Sequence, residues 1–247
     1  MLPARSLLST IAAVALWVAP LHGQDVAAPA QREVRQIVTF LFQPGRTTEA
    51  VAIYERQLKP IYADVIPLLR FRAYRESESP EPLDLVVVSS YRGMAGMDAA
   101  NEALRAPHRS GGSAVTLYGT LAAMTQSHHD QFVEMLPVNG GTPDDSAGIT
   151  VFEYLRVPLR QHQAFETAIR SRIQDEQKIG LFRWSEFGRM LVSDGWDFLR
   201  IYHMRSLAEW HRHRAYDRAR LYSPGGELDP TARKTIILRQ DPRLSVR

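Results

Sequence analysis

A stretch near the start of the chain returns in altered form about 113 residues later. The first copy begins at Gln36-Ile-Val-Thr-Phe-Leu-Phe-Gln43, passes through a helical pattern and continues at Asp84-Leu-Val-Val-Val-Ser-Ser-Tyr-Arg92. The second begins at Gly148-Ile-Thr-Val-Phe-Glu-Tyr-Leu-Arg156 and continues at Asp197-Phe-Leu-Arg-Ile-Tyr-His-Met-Arg205. Such self-similarity restricts the chain to architectures that can be built twice from one unit.

The order of elements within each copy follows from local pattern. Residues 37–42 are β-branched and aromatic and end at the turn signal Pro44-Gly45. Thr47 or Thr48 can cap the next helix, where Val51, Tyr54, Leu58, Ile61, Tyr62 and Val65 form one apolar stripe. Pro60 inside that stripe is expected to kink the helix or split it. Strands are predicted over 69–75 and 83–91, helices over 94–104 and 113–125, and a closing strand over 131–136. The second copy repeats the order: strand 149–156, a helix marked by Phe165, Ile169 and Ile173 and stopped at Gly180, strands 181–187 and 198–204, helix 207–220 and strand 235–239. Gly140-Gly141 reads as part of a turn-rich linker.

The N-terminus reads as an export signal. Arg5 is a short basic region, and residues 7–18 are an apolar run too short to span a bilayer comfortably. Pro20 ends the run and Gly23 is a small residue for cleavage, with an uncleaved anchor as the alternative. The expected organisation is a signal peptide over 1–23, a flexible lead over 24–33, a first repeat over 34–137, a linker over 138–147 and a second repeat over 148–241. No later segment has the length of apolar sequence a membrane span needs. The chain has no cysteine, which removes disulfides, thiolate metal sites and cysteine nucleophiles from consideration. A secreted or periplasmic location is expected. The net charge of +3 is scattered, and no nucleic-acid-binding module accompanies it, so nucleic acid is not an expected partner.

Two β-α-β-β-α-β units resemble the ferredoxin-like motif. More narrowly, the chain resembles a tandem member of the dimeric α/β-barrel superfamily, with antibiotic-biosynthesis-monooxygenase-like and NIPSNAP-like domains among its relatives. Thr39-Phe-Leu-Phe-Gln-Pro-Gly45, Val86-Val-Val-Ser-Ser-Tyr-Arg92, Phe152-Glu-Tyr-Leu-Arg156 and Leu199-Arg-Ile-Tyr-His-Met-Arg205 carry the resemblance. It implies an α+β fold in which two ferredoxin-like repeats form an intramolecular dimeric α/β barrel. Some haem-degrading relatives use a Trp, a His and an Asn in a cleft; here Trp184 and His203 are present, but the only asparagines, Asn101 and Asn139, lie elsewhere.

No serine-hydrolase, zinc-protease, phosphate-loop or dinucleotide signature is present. The chemistry-bearing contrast lies between the copies. A uniform alignment sets Phe40 against Glu153, Val87 against Arg200 and Ser90 against His203. Glu153, His203 and Arg200 are therefore the candidate catalytic residues, with a Glu153–Arg200 ion pair as the alternative. Strand alternation puts Arg200 and His203 on opposite faces, so only one can share a face with Glu153. Trp184, Tyr154 and Tyr202 could line a pocket for a flat apolar ligand, or simply pack. No metal site is expected: His211 and His213 lie about 200° apart on a helix, and His128 and His129 point to opposite faces of a strand. No cofactor is called for.

Three functions remain. One is binding of a small apolar or aromatic molecule between two facing sheets. The second is a cofactor-independent monooxygenase- or isomerase-like enzyme with its site in the second repeat. The third is an assembly module whose exposed surfaces build a homo-oligomer.

Overall fold

Alternation along each strand sorts the side chains into two faces. In β1 (Glu33–Phe42), Ile37 turns to one apolar cluster, while Phe40 and Phe42 turn to another. The same alternation holds in β8 (Phe198–Met204), where Leu199 and Ile201 oppose Phe198, Tyr202 and Met204. The structure, a computed structural model, describes residues 32–108, 113–138, 140–141, 148–221 and 230–246. The expected signal segment 1–23, nearly all of the expected lead and most of the expected linker lie outside the described residues.

The remaining long strands are β2 (Leu68–Glu78), β3 (Leu85–Arg92) and β4 (Thr125–Met135) in the first half. In the second they are β6 (Ile149–Arg156), β7 (Trp184–Val192) and β9 (Ala232–Gln240). They hydrogen-bond in the order β4-β1-β3-β2-β9-β6-β8-β7, and β4 also pairs with β7. The sheet therefore closes into an antiparallel barrel. Within each half the order is the same: last strand, first, third, second. Ile37, Val88, Val133, Phe152, Ile201 and Leu238 fill the middle of the barrel.

Helices cover the outer face. In the first half these are α1 (Thr47–Ile53), α2 (Lys59–Asp64), α3 (Gly93–Arg105) and α4 (Ala114–Ala122). In the second they are α5 (His162–Lys178) and α6 (Leu207–Leu221). Pro60 does split the first apolar stripe. It has no N–H for the carbonyl four residues back, and the chain widens into a π-turn over Tyr54–Leu58 before α2 restarts with Pro60 in its first turn. α5 ends before Gly180, which takes a left-handed φ of 67°. No helix among the described residues is long and apolar enough to cross a membrane.

Three local expectations change. β4 starts at Thr125 rather than near 131, because pairing with β1 satisfies the backbone of a stretch whose side chains are polar and mostly exposed. β7 starts at Trp184 rather than 181. Gly140-Gly141 is a short strand, β5, paired with Ser185 and Trp184 rather than a turn. A Cβ on Gly140 would lie 2.7 Å from Ile173 Cγ2, and one on Gly141 only 2.1 Å from the Arg183 carbonyl oxygen, so only glycine permits that approach.

Candidate functional site

The six residues singled out in the second half fall in three places. Glu153, Arg200 and Tyr202 lie on the outer face, beneath α5 and α6. Trp184 and His203 lie inside the barrel near one end, where their rings stack with centroids 4.1 Å apart. Tyr154 is also inside, toward the opposite mouth, beside Trp196 at 6.1 Å. The structure thus brings Glu153, Arg200 and Tyr202 together and separates them from His203.

Glu153 and Arg200 are direct partners across the β6–β8 ladder, yet each bonds elsewhere. Glu153 accepts from Tyr202 Oη at 3.3 Å and pairs with Arg233 at 3.5 Å. Arg200 pairs with Glu176 of α5, donates to Ser185 Oγ at 3.3 Å and lies 4.3 Å over the Tyr202 ring. Glu176 also receives Arg172 at 2.7 Å and stands 3.3 Å from His213 Nε2. Asp217 joins Arg172 to Arg233. Three carboxylates and three guanidiniums thus neutralise one another in a continuous buried network. Burial alone would raise the Glu176 carboxyl, but Arg200, His213 and Arg172 outweigh it and hold it far below the usual carboxylate range. His211, two residues before buried His213, is exposed on the other side of the helix.

The matching layer of the first half is built differently. Asp84 accepts the Phe42 amide at 2.8 Å, and the Asp84 amide donates to Phe40 O. Asp197 accepts the Val157 amide at 2.8 Å, and its own amide donates to Leu155 O. This shared clasp sets the correspondence between halves. Val87 and Arg200 each follow their aspartate by three residues, as the uniform alignment has it. Glu153 precedes Val157 by four residues, which matches it to Val38 rather than Phe40. Val38 and Val87 face a cavity of about 340 Å³ between β1, β3 and β4 and the helices of the first half. The room that charged side chains fill in one half is empty in the other.

Tyr54, Tyr62, Tyr91 and Tyr118 wall this cavity with Asn101, and His128 stands at its rim, 6.2 Å from the stacked Phe40 ring. A hydrogen-bonded chain crosses one side. Tyr91 Oη donates to Gln36 Oε1 at 3.4 Å, Gln36 Nε2 donates to Asp130 Oδ1 at 2.8 Å, and His128 Nε2 lies 3.5 Å from Asp130 Oδ2. Burial raises the phenols of Tyr54, Tyr91 and Tyr118, so each offers a protonated hydroxyl. The π-turn begins at Tyr54, whose ring meets Phe40 edge-on at 5.9 Å. An apolar chamber with a few converging polar groups is what a small-molecule site requires. Sequence reasoning passed over these residues because it sought added charge; the usable signal was the smaller, uncharged side chains of the first copy.

No family model and no curated protein matches the sequence. Solved structures do match in shape. A candidate monooxygenase from Fusobacterium nucleatum superposes with a TM-score of 0.61 at 9% identity, over 85% of this chain and 92% of that one. An anthrone oxidase-like protein gives 0.59 at 10%, over 85% and 92%. A chlorite dismutase variant from Candidatus Nitrospira defluvii gives 0.58 at 12%, over the same shares. What they share is the α+β fold, a closed antiparallel barrel with helices on its outer face. All eight long strands of the barrel come from one chain. At such identities the likeness is one of fold, so chemistry has to be argued from the cavity.

Proposed function

We propose that the protein binds a small apolar or aromatic molecule in the first-half cavity. The observation that carries this reading is the 340 Å³ chamber itself, walled by buried tyrosines in the half that lacks the ion network. Its size suits a ligand of two or three rings, and the Tyr91–Gln36–Asp130 chain offers polar groups to orient one hydroxyl or carbonyl. The space between the two facing sheets, by contrast, is filled at its middle by apolar side chains.

A second reading is an oxygenase of the monooxygenase-like type acting on such a molecule. It is favoured by the His128–Asp130 pair at the rim, which could accept a proton from a bound ligand, and by the names of the structural neighbours. Between the two family likenesses read from the sequence, those neighbours support the monooxygenase-like one. We also read the halves as two copies of one ferredoxin-like unit, supported by their common strand order and the paired aspartate clasps. Export is part of the same proposal and rests on residues 1–23. N-terminal sequencing of protein recovered from the host's extracytoplasmic fraction should find a start near Gln24.

Titration with 1-naphthol, followed by intrinsic fluorescence, tests the site. Saturable binding is expected in the wild type and should weaken in Val87→Phe, whose larger side chain takes up part of the chamber that Val87 lines. Equal binding by both proteins would defeat the assignment. Oxygen uptake with a naphthoquinol under the same conditions separates the enzyme from the binder.

A further inference from the structure

The mouth of the barrel beside Tyr154 takes no part in either arrangement described above. Two seams stop short of it. Residues 125–131 of β4 precede its pairing with β7, which begins at Phe132, and residues 232–236 of β9 precede its pairing with β2 at Ile237. Between these stretches lies a cavity of about 540 Å³, with apolar walls from Leu41, Leu83, Trp196 and Ile236. Alternation keeps it apart from the first-half cavity: Thr39 and Gln131 face the mouth, whereas Val38 and Asp130 face the other side of the sheet.

Two polar side chains are buried at this mouth without a bond to make. Gln131 is 8% exposed and Tyr154 is 2% exposed, and both line the cavity. Neither the Gln131 amide nor the Tyr154 hydroxyl has a hydrogen-bond partner among the described residues. Such groups are costly to keep unless whatever enters the cavity satisfies them. Burial pushes the Tyr154 phenol up, so it holds its proton and can donate. The charges at the rim are already matched: Lys234 meets Glu81, and His129 Nδ1 lies 3.7 Å from Asp194 Oδ2. Among the described residues no unpaired lysine or arginine lines the cavity, so a carboxylate or phosphate would find no counter-charge there.

A carboxamide presents an acceptor beside a donor, and that edge pairs through two hydrogen bonds with a lactam or with the amino and ring-nitrogen edge of a purine. We propose that the barrel mouth binds a neutral planar heterocycle carrying such an edge, which pairs with the Gln131 amide while the Tyr154 hydroxyl donates to a carbonyl or ring nitrogen. The apolar walls take up the faces of the rings, and the cavity has room for two fused rings. The site is independent of the first-half cavity, from which the sheet separates it.

The test is calorimetric titration of the full chain with 2-quinolone and with N-methyl-2-quinolone, which keeps the rings and the carbonyl but lacks the N–H. 2-Quinolone should bind saturably, and the N-methyl compound about tenfold more weakly, the loss of one hydrogen bond. Gln131→Leu should weaken 2-quinolone about tenfold or more and abolish the preference between the two compounds. Tyr154→Phe should weaken both. Each substitution removes a buried polar group that lacks a partner, so both variants should fold, with melting temperatures no lower than that of the wild type. Their binding of 1-naphthol should be unchanged, which separates this site from the first-half cavity. Absence of 2-quinolone binding, equal affinity for the N-methyl compound, or binding that survives Gln131→Leu but weakens in Val87→Phe would each overturn the proposal.

Discussion

Val87 and Arg200 occupy the same place relative to their aspartates, yet one faces a cavity and the other anchors a buried ion network. The two halves share a strand order and differ in what lies between sheet and helices. In the second half the network holds α5 and α6 to the sheet through Glu176, His213 and Asp217. In the first half, tyrosines and small apolar side chains leave room for a guest.

That network should be unforgiving of partial removal. Arg200→Met leaves the Glu176 carboxylate, fully buried, with less of its compensation. The expected loss is about 3–5 kcal/mol, as for other buried pairs broken from one side. Urea denaturation measures it, and adding Glu176→Gln should recover part of the loss. Naphthol binding should survive in whatever fraction remains folded.

Stability should fall with acid in two stages. Burial pushes His203 below its usual value of 6.5, with Glu186 only partly offsetting it, so the unfolded chain takes up this proton before the folded one does. Stability therefore declines as the pH drops below about 6.5. Burial would raise the Glu186 carboxyl, but Arg35 and His203 outweigh it and hold it well down. The contribution of Glu186, like that of Glu176, is complete above the unfolded carboxylate value near 4.5 and is lost progressively below it. Melting temperatures from pH 8 to pH 3 should show both stages, and His203→Asn should flatten the first. A profile identical in that variant would remove His203 from the account.

The β4–β7 seam depends on Gly188. It pairs with Met135, and an added Cβ would lie 2.4 Å from Val133 Cγ1 and 3.0 Å from the Glu134 carbonyl oxygen. Gly188→Ala should cost about 1–3 kcal/mol. Hydrogen exchange should show the loss of protection concentrated in β4 and β7, rather than spread over the sheet.

Asp84 and Asp197 perform the same local task with different consequences. Replacing either by alanine abandons a backbone N–H, at about 1–3 kcal/mol. Only Asp84→Ala should also weaken naphthol binding, because its clasp fixes the end of β1 beside Phe40 at the cavity wall. Equal effects of both substitutions on binding would show that the cavity does not feel the clasp.

Much of the architecture was legible because alternation and helical spacing report directly on faces. Arg200 and His203 were placed on opposite sides of β8 on that ground alone, as the structure has them. The match of Glu153 to Phe40 was off by two residues for the same reason: a slip of two leaves every side chain on its own face, so hydrophobic pattern cannot detect it. The start of β4 was missed because Gln126 to Asp130 carry polar side chains, and their backbone pairing leaves no trace in residue type. The cavity was hardest to foresee. It arises from volume that neighbouring side chains do not fill, and the ion network that fills the equivalent space drew attention to the wrong half.

The closure of the sheet carries a last consequence. A strand from outside can add only where a ladder has an open side, and the β2–β9 and β4–β7 seams occupy that side along Tyr74–Glu78 of β2 and Phe132–Met135 of β4. If copies of this protein associate, they should therefore leave those two stretches paired as they are, without exchanging them. A chain severed between its halves would recover those open sides on both fragments, and each fragment would then be the natural template for the other.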